Sequence, residues 1–297
     1  MSGFSEVTTS DGRTLEVLIG GAEGGYPLLF HSGTPSAAAP YVRLDEMLVK
    51  AGLKLATYSR PGYGGSTPRT FDETGPRIAD DVADSVAVLD HLGIDEFLTL
   101  GWSGGGPRAL ACAALLPDRC RAAASLAGVA PYDAEGLDWG AGMGPENVED
   151  FEAAVQGPEV YERLLEKTMP PMFEATPEQL VAAFGGLVTP VDATFITGDL
   201  ADYLSRSNGR AGAQGVVGVR DDGLAIVAPW GFDLDDITVP VAVWQGRQDA
   251  MVPFSHGEWL AANVPGARAH LFDDEGHLSL FAQMDTILED LKELAGV

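Results

Sequence analysis

Residues Gly101-Trp102-Ser103-Gly104-Gly105 stand between an apolar run, 97–100, and an Ala/Leu-rich stretch, 107–116, so a G-x-S-x-G pattern falls where a strand hands over to a helix. The context constrains the fold more than the pattern does, because 37 glycines in 297 residues make a bare match easy to find. A sharp turn at that corner forces Ser103 into a strained backbone conformation with its hydroxyl exposed. Glycines on either side let neighbouring backbone close in without side-chain clashes. The helix then starts beneath the hydroxyl, and its free N–H groups and dipole favour negative charge there, where acyl transfer develops an oxyanion. Ser103 is therefore the candidate nucleophile.

A serine nucleophile needs a base, and the base needs an orienting acid. The apolar run 239–244 reads as a buried strand and ends in Gln245-Gly246-Arg247-Gln248-Asp249, which puts Asp249 in the loop at its carboxyl end. A further short strand, 267–272, is followed by Asp273-Asp274-Glu275-Gly276-His277. Among the other histidines, His31 precedes a glycine loop, His91 ends a helix, His270 lies within a strand, and His256 at a helix start is the rival to His277. Asp133 is the alternative acid.

The chain order Ser103, Asp249, His277 resembles that of the α/β-hydrolase family. The resemblance continues along nearly the whole chain. Phe30-His31-Ser32-Gly33-Thr34-Pro35 is similar to the family's His-Gly-x-Pro loop, which donates an oxyanion N–H; Ser32 stands where the family usually has His. Aligned on Gly-x-Pro, Thr34 is the donor, whereas alignment from His31 points to Gly33; Thr34 is preferred, with Gly104 as the second donor. Tyr58-Ser59-Arg60-Pro61-Gly62-Tyr63-Gly64-Gly65-Ser66 resembles the loop after the fourth strand, with Ser59 replacing the usual Asp, and reads as a structural turn not needed for the chemistry.

Asp11-Gly12 between 6–10 and 13–19 signals an opening hairpin. Apolar runs at 28–31, 53–58, 97–100, 122–127, 239–244 and 267–272 alternate with helical stretches. The expectation is an α/β fold, a mainly parallel eight-stranded sheet flanked by helices, with functional loops at the carboxyl ends of the strands. The interval 131–236 breaks the rhythm. Its helical stretches, 148–155, 159–167, 177–184 and 200–205, are interrupted by Pro170-Pro171, Gly185-Gly186 and a glycine-rich piece, 209–218, with the last two as candidate hinges. The resemblance implies a helical cap there, inserted after strand 6, over a core of 1–130 and 237–297. The cap's apolar residues include Trp139, Met143, Met169, Met172, Phe173, Phe184, Phe195 and Trp230; of these Trp139, Met143, Phe173 and Trp230, with Trp102 beside the nucleophile, are singled out as candidates for the substrate pocket.

Composition bounds the partners. The formal charge is −26, and between Asp133 and Asp236 there are 20 acidic residues against 5 basic ones. Such a surface repels anions, which argues against nucleic acid and polyanionic substrates such as acyl-CoA. Residues 1–6 carry neither a basic segment nor an apolar core, and no stretch is long and apolar enough for a membrane span. Cys112 and Cys120 read as reduced packing residues, consistent with a cytoplasmic protein. No metal-ligand spacing stands out and the implied chemistry needs no cofactor. The family resemblance thus implies hydrolysis of a small to medium carboxylic ester through an acyl-enzyme. Amidase or aminopeptidase, C–C bond hydrolase and cofactor-free haloperoxidase are alternatives on the same triad, and a receptor without turnover is one of a different class.

Overall fold

A computed structural model describes residues 3–297; Met1 and Ser2, part of the segment read as lacking a leader, lie outside them. The strands are β1 (Phe4–Thr8), β2 (Thr14–Gly21), β3 (Tyr26–His31), β4 (Leu53–Tyr58), β5 (Phe97–Trp102), β6 (Cys120–Leu126), β7 (Val241–Gly246) and β8 (Arg268–Phe272). They form one eight-stranded sheet in the order β1-β2-β4-β3-β5-β6-β7-β8. β2 is antiparallel to β1 and β4, and the other pairings are parallel. This is the mainly parallel sheet expected from the alternating apolar runs.

Helices α1 (Val42–Ala51), α2 (Asp81–His91) and α3 (Gly106–Leu115) follow β3, β4 and β5. Between β6 and β7 come α4 (Pro145–Gln156), α5 (Pro158–Thr168), α6 (Pro170–Phe173), α7 (Leu180–Phe184), α8 (Pro190–Ala193), α9 (Gly198–Ala211) and α10 (Val217–Val227). The core closes with α11 (Phe254–Asn263) and α12 (Met284–Ala295). Alternation along the strands explains their nearly continuous hydrophobicity. Leu28 and Phe30 of β3 face α1 and α12, joining Leu48, Ile287 and Leu291, while Leu29 between them faces α2, α3 and α11, joining Leu89, Leu110 and Leu260. A sheet covered on both faces requires apolar residues at both parities.

The segment between β6 and β7 is helical, as expected, with one correction. The glycine-rich piece 209–218 is not an open break: α9 runs through Gly209 to Ala211, and α10 begins at Val217. The glycines serve close packing. A Cβ on Gly212 would come within 2.6 Å of the Phe173 ring, and one on Gly218 within 2.7 Å of the Tyr63 ring. Low helix propensity, about 1 kcal/mol per glycine relative to alanine, is outweighed by that fit. Among the described residues no helix is long and apolar enough to cross a membrane. Cys112 and Cys120 are both buried and free, and burial pushes the Cys112 thiol up to about 12.

Candidate active site

Strand β5 ends at Trp102, and Ser103 then adopts φ +55° before a short 3₁₀ turn leads into α3. Only one other non-glycine residue among those described, Ala127, has positive φ. Such a conformation costs about 1–3 kcal/mol and persists only where its surroundings enforce it. The enforcement is visible on both sides of the turn. A Cβ on Gly101 would lie 2.1 Å from the carbonyl oxygen of Gly105, and one on Gly105 would lie 2.1 Å from that of His31. The glycines allow the chain to fold back on itself and against β3, which leaves Ser103 at the carboxyl edge of the sheet.

Two neighbouring strand ends bring the acid and the histidine together. Asp249, after β7, and His277, after β8, are both buried, and Nδ1 of His277 lies 2.7 Å from Oδ2 of Asp249. The same carboxylate accepts hydrogen bonds from the Gln245 amide at 3.0 Å and from the backbone N–H groups of Met251 and Val252, each at 2.8 Å. Its position is thereby fixed by four donors. Burial alone would lower the His277 pKa; the Asp249 charge and hydrogen bond, aided by Asp192, reverse that and raise it above the ordinary value. The imidazole packs on Trp102, ring centroids 5.5 Å apart, one residue from Ser103.

The loop carrying Thr34 lies against the elbow, and a Cβ on Gly104 would be 3.5 Å from the Thr34 nitrogen. A buried ion cluster holds both segments from behind. Arg60 donates to the carbonyls of Ser32 at 2.6 Å and Gly33 at 2.8 Å, and Arg108 of α3 donates to that of Gly104 at 2.7 Å. Asp222 of α10 binds both guanidiniums and accepts from the Thr34 hydroxyl at 2.6 Å and the Tyr63 hydroxyl at 3.0 Å. Burial would raise the Asp222 pKa, but Arg60 and Arg108 overcome it and hold the carboxyl at about 2. Arg60 belongs to the loop read as a structural turn, and it turns out to support the Thr34 loop directly. Ser59, replacing the usual Asp, donates to Glu16 and accepts from the Ala38 N–H.

Ser103, Gly104 and Thr34 open onto a cavity of about 1140 Å³, including its mouth, between the sheet edge and helices α4 to α7 and α10. Its walls are mostly apolar, with Phe151, Leu164, Met169, Met172, Phe184 and Ile226 among them. Its charged residues are all acidic, Glu146, Glu149 and Asp150, and Asp150 accepts from the Tyr161 hydroxyl at 2.6 Å. Desolvation raises the Asp150 pKa to about 6. Among the described residues no group of three or more His, Cys, Asp or Glu stands close enough to hold a metal ion.

Of the cap's apolar residues Met169, Met172 and Phe184 do wall the cavity, but the five singled out for the pocket go elsewhere. None of Trp102, Trp139, Met143, Phe173 and Trp230 is part of this cavity wall. Trp102 is wedged between His277 and Phe281. Trp139 packs against Phe151 and His256 and donates to the Ala130 carbonyl. Met143 joins the core beneath it, Phe173 fills the space above Gly212, and Trp230 stacks on Phe232 beside a separate surface cleft. Trp139 is spent on packing the segment against the core, whereas Phe151, Tyr161 and Phe184 are the aromatic residues that wall the cavity.

The rival catalytic residues have other partners. His256 is buried, its Nδ1 accepting from the Ala130 N–H and its Nε2 lying 2.8 Å from the Trp139 carbonyl. His270 pairs with Asp290, and His31 is buried with its pKa lowered to about 3 by desolvation and by Arg60 and Arg108. Asp133 is exposed beside the separate cleft. Two carboxylates escaped the sequence reading. Asp192 of α8, fully buried, accepts from the backbone N–H groups of His277 at 3.0 Å, Leu278 at 2.7 Å and Ser279 at 2.9 Å. Asp222 is the other; adjacent acids in the apolar run Val216 to Val227 were the available signal.

A sheet of this order, with a strained serine at a glycine elbow and a buried Asp–His pair on later strands, defines an α/β-hydrolase. Residues 26–282 match the family model described as alpha/beta hydrolase fold, and the chain belongs to that family as a hydrolytic enzyme. It is similar, at 28% identity over 86% of this chain and 91% of the relative, to a pimeloyl-[acyl-carrier protein] methyl ester esterase of Aromatoleum aromaticum. It is also 26% identical to a 2-hydroxy-6-oxononadienedioate/2-hydroxy-6-oxononatrienedioate hydrolase of Klebsiella pneumoniae, over 93% and 89% of the two chains. Among solved structures, an alpha/beta hydrolase fold protein from Nakamurella multipartita superposes with a TM-score of 0.66 at 26% identity, covering 99% of this chain and 100% of that one.

Proposed function

We propose that the protein is a serine hydrolase that cleaves small to medium carboxylic esters whose acyl and alcohol parts are uncharged or cationic. The observation that carries this reading is a strained Ser103 opening, beside Gly104 and Thr34, onto a largely apolar cavity whose charged residues are all acidic. His277 removes the Ser103 proton as the hydroxyl attacks the ester carbonyl and later returns a proton to the leaving alkoxide, while Asp249 fixes the imidazole tautomer. The N–H groups of Thr34 and Gly104 receive the oxyanion. Water then attacks the acyl-enzyme, with His277 again as base. Among the described residues Ser103 Oγ makes no hydrogen bond, and in this reading its bond to His277 forms as the side chains settle around the ester.

The cavity wall favours ester cleavage over the dioate chemistry named for the Klebsiella relative. Two substrate carboxylates require cationic partners, and the wall presents carboxylates instead. The test is intact-protein mass after a fluorophosphonate, with hydrolysis of a chain-length series of p-nitrophenyl esters by the parent and Ser103→Ala. One adduct, absent from the variant together with turnover, is expected. A folded protein that takes no adduct and turns over no ester would overturn the reading, as would turnover undiminished in Ser103→Ala.

A further inference from the structure

Each half of the proposed oxyanion site is gripped by a buried arginine. The Thr34 loop hangs by the carbonyls of Ser32 and Gly33 from Arg60, and the elbow hangs by the carbonyl of Gly104 from Arg108. These two buried guanidiniums come from different parts of the core, and α10 supplies the carboxylate that joins them. Asp222 Oδ1 accepts from Arg108 at 2.8 Å, and its Oδ2 takes Arg60 and the Thr34 hydroxyl. Asp81 pairs with Arg108 from its other side at 2.9 Å. Asp222 is nonetheless the acid that touches both arginines and the loop itself. Its neighbour Asp221 turns away to Arg220.

We infer that Asp222 is a positioning residue for the proposed reaction: it draws Arg60 and Arg108 together and so sets the spacing of the Thr34 and Gly104 N–H groups that receive the oxyanion. The inference rests on the serine-hydrolase reading for its catalytic consequence and on geometry alone for the clamp. An oxyanion donor acts only at the position the charged oxygen occupies, and loss of one donor typically costs ~10²–10³ in turnover. Displacing donors without removing them should cost less, roughly 10–100-fold in kcat, with KM nearly unchanged because the ground-state ester does not draw on them.

The experiment compares Asp222→Asn, which keeps shape and loses charge, with Asp221→Asn. It measures kcat and KM on a neutral p-nitrophenyl ester, the affinity for phenylboronic acid, whose tetrahedral adduct places an oxygen in the oxyanion site, and hydrogen exchange in the Thr34 loop and the elbow. Expected for Asp222→Asn are faster exchange in both segments, a kcat loss of roughly 10–100-fold matched by the loss in boronate affinity, and an unchanged KM; Asp221→Asn behaves as the parent. Unchanged exchange would overturn the clamp. Faster exchange with unchanged kcat and boronate affinity would overturn the catalytic role. If the parent itself shows no Ser103-dependent turnover, the functional reading fails, and exchange still decides the clamp. Should Asp222→Asn not fold, Thr34→Val and Thr34→Ser carry the test: the hydroxyl lost in the first and restored in the second must be reflected in kcat, and equal kcat values overturn the inference.

Discussion

Asp192 offers a severe test of how the His277 loop is held. Its carboxylate is fully buried and accepts three consecutive backbone N–H groups, those of His277, Leu278 and Ser279, and also the Thr189 hydroxyl. In Asp192→Ala all three N–H groups lose their acceptor in a site closed to water. At about 1–3 kcal/mol per unsatisfied buried donor the loss is roughly 3–9 kcal/mol, comparable to the whole stability of many domains. Asp192→Asn is gentler. With its oxygen in the Oδ1 position it still serves Leu278 and Ser279, but its NH₂ then meets the His277 N–H, donor against donor, and the charge assistance is gone. That variant is expected to lose about 2–4 kcal/mol in urea unfolding at pH 7, with kcat reduced because the displaced donor belongs to His277. An asparagine variant within 0.5 kcal/mol of the parent and with parental kcat would refute the idea that this carboxylate holds the loop.

Three further outcomes are expected. The rate kcat/KM should fall as pH drops through a midpoint above the ordinary histidine value of about 6.5, since the proposed mechanism needs a neutral His277 and Asp249 with Asp192 raises its pKa despite burial; a midpoint below 6.5 in a pH–rate profile contradicts this. Asp150→Asn should stabilise the fold by up to about 3 kcal/mol at pH 8 and by nothing at pH 3, because a carboxyl held at about 6 is costly to ionise only above its unfolded pKa; equal urea midpoint shifts at the two pH values would dismiss that assignment. Gly101→Ala should lower stability by about 1–3 kcal/mol and abolish fluorophosphonate labelling in the fraction that folds, since its Cβ meets the Gly105 carbonyl at 2.1 Å; a labelled, stable variant would mean the elbow is not held by that contact.

What the sequence made legible was local. The strands announced themselves because a two-sided parallel sheet demands largely apolar runs, and β4, in spite of Lys54 and Thr57, matched the bounds expected for it residue for residue. Ser103 was legible because glycines that permit a fold-back must flank it in sequence. The α10 helix was not, since Gly218 and Gly223 weaken its helical pattern and their purpose, room for Tyr63 and Tyr161, lies 62 or more residues away. Asp192 was hidden by a local role: Thr189-Pro190-Val191-Asp192 is an ordinary helix start, and Thr189 does accept from the Asp192 N–H. The cavity wall was the least legible part. Which face of a short helix turns toward Ser103 depends on how α4 to α7 settle, and the most conspicuous residues, Trp139 and Trp230, were spent on anchoring.

The Asp222 cluster bears on how freely this chain could exchange its helical segment for another's. The segment between β6 and β7 enters and leaves the sheet at two points and looks like a detachable cassette. Yet the buried Arg60 guanidinium, which stays behind with the core, pairs with the Asp222 carboxylate that departs with the segment, and Arg108 would keep Asp81 but lose Asp222. A chimera carrying a foreign segment without an acid at that place would strand positive charge in the interior next to the elbow, a defect of several kcal/mol. Recombination at this junction therefore favours parents that share the acid, and the helices that wall the cavity are inherited together with their fastening.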